Sequence, residues 1–219
     1  DVYKRQGVMD EPISDLPVML TVRDRRCLVV GAGGVGVRRA KLLSEAGAHV
    51  VIVAPQVHPS ARLIGAEIYE RGFEPSDLDG VLLAVAATSD PDMNQAVSDA
   101  ANQRGVLVNR SDQAASGNLT FMSSHRDGPL TLAVHTGGAS ASAAVRIRSL
   151  LADSLDPVWG ELLTLALPAR HRIQAGVSDP AKRTALLRRL TDDEALVTLK
   201  TDGESGLKVL YADIMKDLP

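Results

Sequence analysis

The stretch CLVVGAGGVGVRRAKLLSEAGAHVVIVAP, residues 27–55, decides the fold. It opens with a continuous apolar run up to Gly31, as expected for a strand that is buried on both faces of a sheet. From Val35 the apolar residues recur at helical spacing until Gly47, a residue type that commonly ends helices. The apolar run from His49 to Pro55 follows. The stretch therefore predicts a strand, a glycine turn, a helix and a second buried strand.

The same alternation continues along the chain. Residues 80–88 (GVLLAVAAT) are typical of a strand, and residues 89–105 predict a helix that Asp90 caps and Gly105 ends. Residues 106–109 (VLVN) predict a further strand. Strands that alternate with helices indicate βαβ units and a parallel sheet. Upstream, the β-rich run Leu16–Val22 and the charged turn Arg23–Arg26 predict a hairpin that leads into the first buried strand.

The pattern changes after Asp112. Residues 117–124 and 128–136 are β-rich runs joined by HRDG, which predicts an antiparallel hairpin. Ser140 then caps a helix on which Ala144, Ile147, Leu151 and Leu155 share one face. The rest of the chain predicts helices over residues 156–174, 179–193 and 206–215.

We therefore expect an α/β fold: a Rossmann-type parallel sheet, a small β-region for dimerisation and a helical C-terminal domain. The expected segments are a disordered or artefactual N-terminus, a nucleotide-binding domain, the β-region with its turn, and the helical domain, over residues 1–15, 16–116, 117–148 and 149–219 respectively. The first six residues do not resemble a targeting signal. We expect them to be artefactual and translation to start at Met9 or close by.

Composition excludes several classes of protein. The 219 residues carry a formal net charge of −3, with a pI of about 6.0 and only 3% aromatic residues, which argues against a nucleic-acid-binding surface. No apolar run approaches the roughly 18 residues of a membrane span. The one cysteine, Cys27, lies in an apolar run, so no disulfide framework is expected and a reducing, cytoplasmic compartment is favoured.

Gly31, Gly33 and Gly36 form a G-x-G-x-x-G pattern between a strand and a helix. In that context the first glycine permits the tight turn, the second leaves room for a pyrophosphate, and the third lets the helix pack closely on the strand. The free N–H groups at the start of the helix would face the phosphates. Nucleotide binding is the favoured interpretation; the alternative is a glycine turn beside an empty pocket.

The carboxylate that usually binds the ribose is missing. A ribose-binding Asp or Glu is expected about 20 residues after the glycines, and that place holds Val53, Ala54, Pro55 and Gln56. No arginine stands beside them for a 2′-phosphate, so the residues favour NAD over NADP only slightly. Backbone groups near Pro55 and Gln56 could hold the ribose. The expected cofactor-binding residues are Gly31, Gly33, Gly34, Val35, Gly36, Pro55, Gln56 and Thr88.

Four landmarks, in order, resemble one family. Besides the glycine turn with the basic helix RRAKLLSEAGA (residues 38–48), they are AATSDPDMNQAV (residues 86–97), the N-x-x-D sequence NRSD (residues 109–112) and AVHTGGAS (residues 133–140). From Leu16 to Leu155 the chain resembles the precorrin-2 dehydrogenase module of siroheme synthases. The helical tail resembles that module only in kind.

The resemblance implies the domain order given above, a homodimer, and NAD-dependent dehydrogenation of precorrin-2 to sirohydrochlorin. It leaves open whether the chain also inserts ferrous iron as a sirohydrochlorin ferrochelatase. It also implies that the aspartate of N-x-x-D, here Asp112, is catalytic. Asp112 follows a strand, where open α/β sheets bind ligands, and could accept a proton as hydride leaves. The alternative is an aspartate that only forms a turn.

The resemblance also implies a set of substrate contacts. Precorrin-2 carries eight carboxylates, so N–H donors and basic groups should surround it. His135 stands where family members often have serine; it could be an iron ligand, a proton carrier or a structural residue at the end of a strand. Ala141 replaces the family's proline. The expected substrate-binding residues are Asn109, His135, Thr136, Gly137, Gly138, Ser140 and Arg148; no metal ligand is assigned.

Two functions compete. The first is the dehydrogenase, in which Asp112 and the turn Gly137–Ser140 flank the nicotinamide. The second is a non-catalytic, NAD-sensing regulatory module, which would have no second substrate cavity. The two β-runs after the parallel sheet are too few to bury both faces alone, which favours a homodimer. Neither nucleic acid nor membrane is an expected partner.

Overall fold

The computed structural model describes residues 15–113 and 116–216, so the expectation for the N-terminus lies almost wholly outside the described residues. The chain divides into two compact units, one up to Thr120 and the other from Phe121. The strands and helices of the first unit are β1 Arg26–Ala32, α1 Gly34–Glu45, β2 His49–Val57, β3 Glu67–Tyr69, β4 Val81–Ala86, α2 Pro91–Gln103 and β5 Leu107–Arg110. Those of the second are β6 Ser123–Asp127, β7 Leu130–Val134, α3 Ala141–Ser154, α4 Val158–Gly176, α5 Pro180–Arg189 and α6 Asp193–Ile214.

The first unit contains a five-stranded sheet in the order β3-β2-β1-β4-β5, with every neighbouring pair parallel. The chain builds outward from β1 to β2 and β3, then crosses to the other side of β1 for β4 and β5. This order confirms the expected Rossmann-type fold. The reversal of direction lies between β1 and β4, and sheets of this kind bind ligands beside that point, outside the carboxyl ends of the strands.

Apolar burial explains why these segments form the sheet. Cys27 to Ala32 of β1 are all buried, as the continuous apolar run predicted. Leu28, Val53 and Ala84 from three adjacent strands share one core with Val97 of α2 and Val108 of β5. Each fully buried valine or leucine contributes about 1.5–3 kcal/mol relative to an exposed one. Among the described residues, no helix has both the length and the apolarity to cross a membrane.

The predicted N-terminal hairpin is wrong. Residues 15–22 form no strand, and only Val22 of the β-rich run is buried. The physical reason is that both edges of β1 are occupied, by β2 and β4, so no edge is free for a hairpin partner. The charged turn does form: Arg25 N–H donates to the Val22 carbonyl at 3.0 Å. Strand β3, which was not predicted, has three residues and only Ile68 among them is partly buried.

The second unit begins with the predicted antiparallel hairpin, β6 paired with β7. Its boundaries differ from the prediction: residues 125–127 of HRDG belong to β6, and the turn is Gly128–Pro129. Gly128 has a φ of +53°, and a Cβ there would lie 2.9 Å from Oγ1 of Thr164 in α4. Helix α3 packs against both strands of the hairpin, and Ser140 caps α3 by accepting from Ala143 N–H at 3.1 Å.

Helices α4, α5 and α6 enclose an apolar core that includes Leu162, Ile173, Leu190 and Leu207. The Tyr211 hydroxyl crosses this core to donate to the Leu190 carbonyl at 2.7 Å, and burial raises the pKa of that phenol to about 12. The helical C-terminal region is thereby confirmed. The predicted last helix, residues 206–215, corresponds to the second half of α6, whereas the first half, residues 194–202, was not predicted; the non-helical Gly203, with a φ of +66°, marks the kink between the two halves.

Candidate functional site

The glycine turn lies where β1 and β4 end side by side. Gly31 has a φ of +104°, and a Cβ on it would lie 2.5 Å from the Ala87 carbonyl oxygen. The Ala87 N–H donates to the Val30 carbonyl at 2.8 Å, which holds the two strand ends together. Gly31 is therefore required both by its own backbone conformation and by the close approach of the neighbouring strand.

Gly36 has a different reason to be glycine. It is buried in the first turns of α1, where a Cβ would lie 2.0 Å from the Gly31 carbonyl oxygen. Any side chain here would push the helix away from the turn. This is the close helix–strand packing that the third glycine of the pattern predicts.

At Gly33 and Gly34, no packing contact within the described part of the protein requires a glycine. No described atom lies within 4 Å of a Cβ built on either residue, and Gly33 has an ordinary φ of −76°. Gly33 is the N-cap of α1, with no side-chain cap and no acidic residue in the first turn among the described residues. The N–H groups of Gly34, Val35 and Gly36 open the helix. Free N–H groups and an uncrowded backbone suit the pyrophosphate of a dinucleotide.

At the end of β2, exposure decides which residues could contact a ribose. Val53 and Ala54 are buried in the sheet, whereas Pro55 and Gln56 are exposed. Strand β2 continues to Val57, which pairs with Ala32 just after the glycine turn begins. Pro55 and Gln56 therefore stand next to that turn and offer backbone carbonyls and one amide side chain.

Thr88 stands two residues beyond the end of β4 and is fixed by Asn94 of α2. The Asn94 Oδ1 atom accepts from Thr88 N–H at 3.0 Å and from its hydroxyl at 2.8 Å, and Asn94 Nδ2 donates to the Thr88 carbonyl at 3.1 Å. Asn94 is only 1% exposed. Sequence reasoning did not assign Asn94 to the site, although it belongs to one of the four landmarks.

Asp112 stands two residues beyond the end of β5, in an ion pair with the last residue of that strand. Arg110 donates to Asp112 Oδ1 from Nε at 3.2 Å and to Oδ2 from Nη2 at 2.7 Å. The arginine side chain is 3% exposed and the aspartate side chain 29%. The hydrogen bonds from Arg110 lower the pKa of Asp112 to about 2, and Asn94 and the Asp112 backbone N–H act in the same direction.

Gln95 completes the surroundings of the ion pair, since its Oε1 atom accepts from Nη1 of Arg110. β1, β4 and β5 are parallel, so Gly31, Thr88 and Asp112 all lie at the carboxyl edge of the sheet. This edge therefore combines an uncrowded phosphate-binding turn with an ionised carboxylate. Sequence reasoning missed Arg110 and Gln95.

Asn109 precedes Arg110 and is buried at 3% exposure. Its Nδ2 atom donates to the Leu119 carbonyl at 3.0 Å, while its Oδ1 atom is buried with no hydrogen-bond partner among the described residues. Asn118 reinforces the same connection, because its Oδ1 atom accepts from Val108 N–H at 2.7 Å. Asn109 therefore ties the end of β5 to the segment that follows the site.

In the second unit, the predicted substrate turn forms between β7 and α3. Gly137 and Gly138 have φ angles of +60° and +81°. Thr136 Oγ1 accepts from Ser140 N–H at 3.3 Å and donates to the Ser140 carbonyl at 3.0 Å, which closes the turn. No described atom lies within 4 Å of a Cβ built on either glycine, so the turn is open on its outer side.

Two basic residues flank this turn in sequence. His135 is exposed just after β7. Arg148 lies on α3, partly buried, and its Nε atom has no hydrogen-bond partner among the described residues. Both belong to the second unit, as do Thr136 and Ser140, whereas Asn109 and all the predicted cofactor residues belong to the first.

Comparisons with known proteins point in one direction. Residues 18–123 match the family model NAD_binding_7, described as "Putative NAD(P)-binding". The chain is 37% identical over 183 residues to a siroheme synthase of Pseudomonas aeruginosa (strain LESB58), covering 82% of this chain and 39% of that protein. It is 33% identical over 207 residues to a siroheme synthase of Thioalkalivibrio sulfidiphilus, covering 87% of this chain and 42% of that protein. The chain thus spans about two fifths of these relatives.

A solved structure named "SirC, precorrin-2 dehydrogenase" matches almost end to end. It covers 92% of this chain and 100% of its own, with a TM-score of 0.73 and 26% identity. The match extends through both compact units, so it includes the hairpin and the helical region as well as the parallel sheet.

Proposed function

Because the chain is a homologue of the siroheme synthases and of SirC, we propose that it catalyses the NAD-dependent dehydrogenation of precorrin-2 to sirohydrochlorin. One structural observation supports this most directly. The carboxyl edge of the sheet carries both an open glycine turn, uncrowded at Gly33 and Gly34, and the ionised carboxylate of Asp112. A phosphate-binding turn alone would serve a sensor equally well, whereas a fixed carboxylate beside it suits chemistry on a second ligand.

The residues present fit NAD. The N–H groups of Gly34, Val35 and Gly36 would hold its pyrophosphate, and Pro55 and Gln56 would hold its ribose. Thr88 would contact a part of the cofactor beyond these two groups. When bound, NAD⁺ accepts a hydride and becomes NADH. The chain's contribution is to bind and orient the cofactor and to keep the first turn of α1 free of acidic residues that would repel phosphates.

The reaction removes two hydrogens from precorrin-2. One carbon–hydrogen bond breaks with its electron pair carried away as hydride, and one proton is released, giving sirohydrochlorin, NADH and H⁺. Asp112 is the proposed catalytic residue because its carboxylate is partly exposed at the edge where the cofactor would bind. Its role depends on its protonation state.

The carboxylates of precorrin-2 need partners, and we propose that the turn between β7 and α3 supplies them. Its two consecutive glycines at positive φ leave backbone N–H groups uncovered by side chains, which suits an anion. Thr136 and Ser140 hold the turn in shape. Arg148 would add positive charge and His135 a hydrogen-bonding ring nitrogen, and we propose Asn109 of the first unit as a further substrate-binding residue. The proposed domain boundaries are those expected from the sequence.

A homodimer is part of the proposal. Helix α3 and the residue that caps its C-terminus leave five large apolar side chains exposed to a substantial degree: Val145, Ile147, Leu150, Leu151 and Leu155. Two strands and one helix cannot cover both faces of such an element, and a second copy would remove this apolar area from water. We also propose a cytoplasmic location, because the single thiol, Cys27, is buried and burial raises its pKa to about 11, so it plays no part in disulfide chemistry.

The test is anaerobic incubation of the purified chain with NAD⁺ and precorrin-2, followed by visible spectroscopy. Formation of sirohydrochlorin together with NADH would support the dehydrogenase. Normal NAD binding with an unchanged tetrapyrrole spectrum would instead favour the alternative, a nucleotide sensor. Ferrous iron added after oxidation tests the second activity: conversion of the spectrum to that of siroheme would show that the chain also inserts the metal.

A further inference from the structure

All three side-chain nitrogens of Arg110 donate hydrogen bonds. Nε and Nη2 donate to the two oxygens of Asp112, and Nη1 donates to Gln95. Arg110 is 3% exposed and is anchored at the end of β5, where it lies opposite Ala86 of β4. The guanidinium is therefore a fixed part of the sheet's edge, and it determines where the Asp112 carboxylate points.

This geometry leaves little room for a proton on Asp112. Both carboxylate oxygens already accept hydrogen bonds from the guanidinium, and the Asn94 amide and the Asp112 backbone N–H also favour the ionised form. A carboxylate has about four acceptor positions in total. A group held in this way is a poor proton acceptor near neutral pH, since efficient general bases have pKa values close to the working pH.

We propose that Arg110 is a positioning residue that presents Asp112 to the substrate as a permanently charged, oriented anion and not as a general base. The inference rests on the proposed dehydrogenation of precorrin-2. As hydride leaves, the macrocycle gains positive charge until an N–H proton departs to water. A fixed anion at the carboxyl edge stabilises that charge at the moment it forms.

Arg110 also offsets the electrostatic repulsion between the Asp112 carboxylate and the substrate. An isolated carboxylate would repel a substrate that carries eight carboxylates, whereas the ion pair of Arg110 and Asp112 has no net charge. The pair still directs the negative end outward, because the aspartate is 29% exposed and the arginine is buried. Lysine could not replace arginine here, because a single ammonium cannot make the two-point contact and also reach Gln95.

The experiment compares the full-length chain with Arg110→Gln and with a matched control, Arg71→Gln. Arg71 forms a similar two-point ion pair with Asp77, at 2.9 and 2.6 Å, in the segment that precedes β4. Two quantities are measured: the pH dependence of kcat for precorrin-2 oxidation, and the titration of the Asp112 carboxyl carbon by NMR in the absence of ligands. The second does not depend on turnover.

For the unaltered chain we expect Asp112 to titrate well below an ordinary carboxyl group, whose pKa is about 4, and kcat to show no acid limb from about pH 8 down to about pH 5. Arg110→Gln should raise the Asp112 titration midpoint and lower kcat by about 100-fold, the scale of a misplaced reacting group. Arg71→Gln should leave the Asp112 titration and kcat unchanged.

Two results would overturn the inference while leaving the proposed function intact. One is turnover in the unaltered chain with an acid limb, between about pH 5 and pH 8, that matches the Asp112 titration. The other is wild-type kcat and an unchanged titration in Arg110→Gln. By contrast, a low Asp112 midpoint that Arg110→Gln raises, with no oxidation of precorrin-2 by the unaltered chain, would refute the proposed function.

Discussion

A Cβ atom on Gly31 would lie 2.5 Å from the carbonyl oxygen of Ala87, so the ends of β1 and β4 can meet only over a glycine. This contact lies where the strand order of the sheet reverses. At Gly33, two residues further along the chain, no described atom lies within 4 Å of the position that a Cβ would occupy. Glycine is thus required by packing at one position and by an expected ligand at the other, and this difference can be tested directly.

We predict that Gly33→Ala weakens NAD binding by at least about tenfold, while the free energy of unfolding changes by no more than about 0.5 kcal/mol. The added methyl group meets no described atom in the protein but would meet the pyrophosphate. Isothermal titration calorimetry and urea denaturation measure the two quantities. Gly72→Ala is the control, since Gly72 is equally uncrowded but lies away from the turn. Tight NAD binding by Gly33→Ala would show that the phosphates bind elsewhere.

Gly36→Ala should behave in the opposite way. A Cβ at Gly36 would lie 2.0 Å from the Gly31 carbonyl oxygen, so helix α1 must move. Overpacking of this kind typically costs about 1–3 kcal/mol. We therefore expect a lowered free energy of unfolding even without cofactor, measurable by urea denaturation. Unchanged stability would contradict the proposed packing of the helix on the turn.

We predict that Asp112→Asn lowers kcat by at least about 100-fold and leaves the Kd for NAD unchanged, because the amide keeps the shape but loses the charge. The expected scale is that of removing a group that acts directly in the reaction. Asparagine is preferable to alanine, which would leave the buried guanidinium of Arg110 without its partner. Steady-state kinetics and calorimetry make the comparison, and full turnover by this variant would mean that another residue is catalytic.

The ion pair of Arg110 and Asp112 should also make stability depend on pH. The folded-state pKa of Asp112, about 2, lies below its ordinary value of 3.8. A depressed pKa stabilises the fold above the ordinary value, and this contribution is lost as the pH falls through the folded value. The stability difference between the unaltered chain and Asp112→Asn should therefore be about 1–2 kcal/mol at pH 7 and shrink towards pH 2. Urea denaturation across that range checks this, and a constant difference would contradict it.

The proposed homodimer predicts that self-association is sensitive to substitution of Leu150 on α3. Leu150 of α3 is 61% exposed, so Leu150→Asp should place a charge in the interface and weaken self-association by at least about 100-fold, the effect of burying an unpaired charge. Val209→Asp is the matched control, because Val209 is also exposed, at 71%, but lies on α6. Analytical ultracentrifugation distinguishes the outcomes. A monomeric unaltered chain, or a dimer that survives Leu150→Asp, would argue against this interface.

The sequence was sufficient for those parts of the fold that one local pattern determines. The apolar run of β1, the helical spacing of α1 and the cap at Asp90 each correspond to an element in the structure. The prediction of a hairpin at Leu16–Val22 was wrong because strand formation depends on a free edge of a neighbouring strand, which local sequence does not reveal. The first half of α6, residues 194–202, was not predicted either, and its Ala195 and Leu199 are buried by packing in the helical core.

The site was predictable to a similar extent. The uncrowded backbone at Gly33 follows from the motif, but the partner of Asp112 was missed. A signal was present, because a basic residue, Arg110, stands only two positions before Asp112 in the sequence. Asn94 and Gln95 reach the site from α2, and only the packing of α2 beside β5 reveals that proximity.

We propose above all that this chain, with NAD⁺ bound, oxidises precorrin-2. The most direct measurement is an anaerobic single turnover with the chain and NAD⁺ in excess over precorrin-2, in which NADH and sirohydrochlorin are quantified together. We expect one NADH for each sirohydrochlorin formed, and no product when NAD⁺ is omitted. Unchanged precorrin-2 in the presence of chain that binds NAD⁺ normally would contradict it.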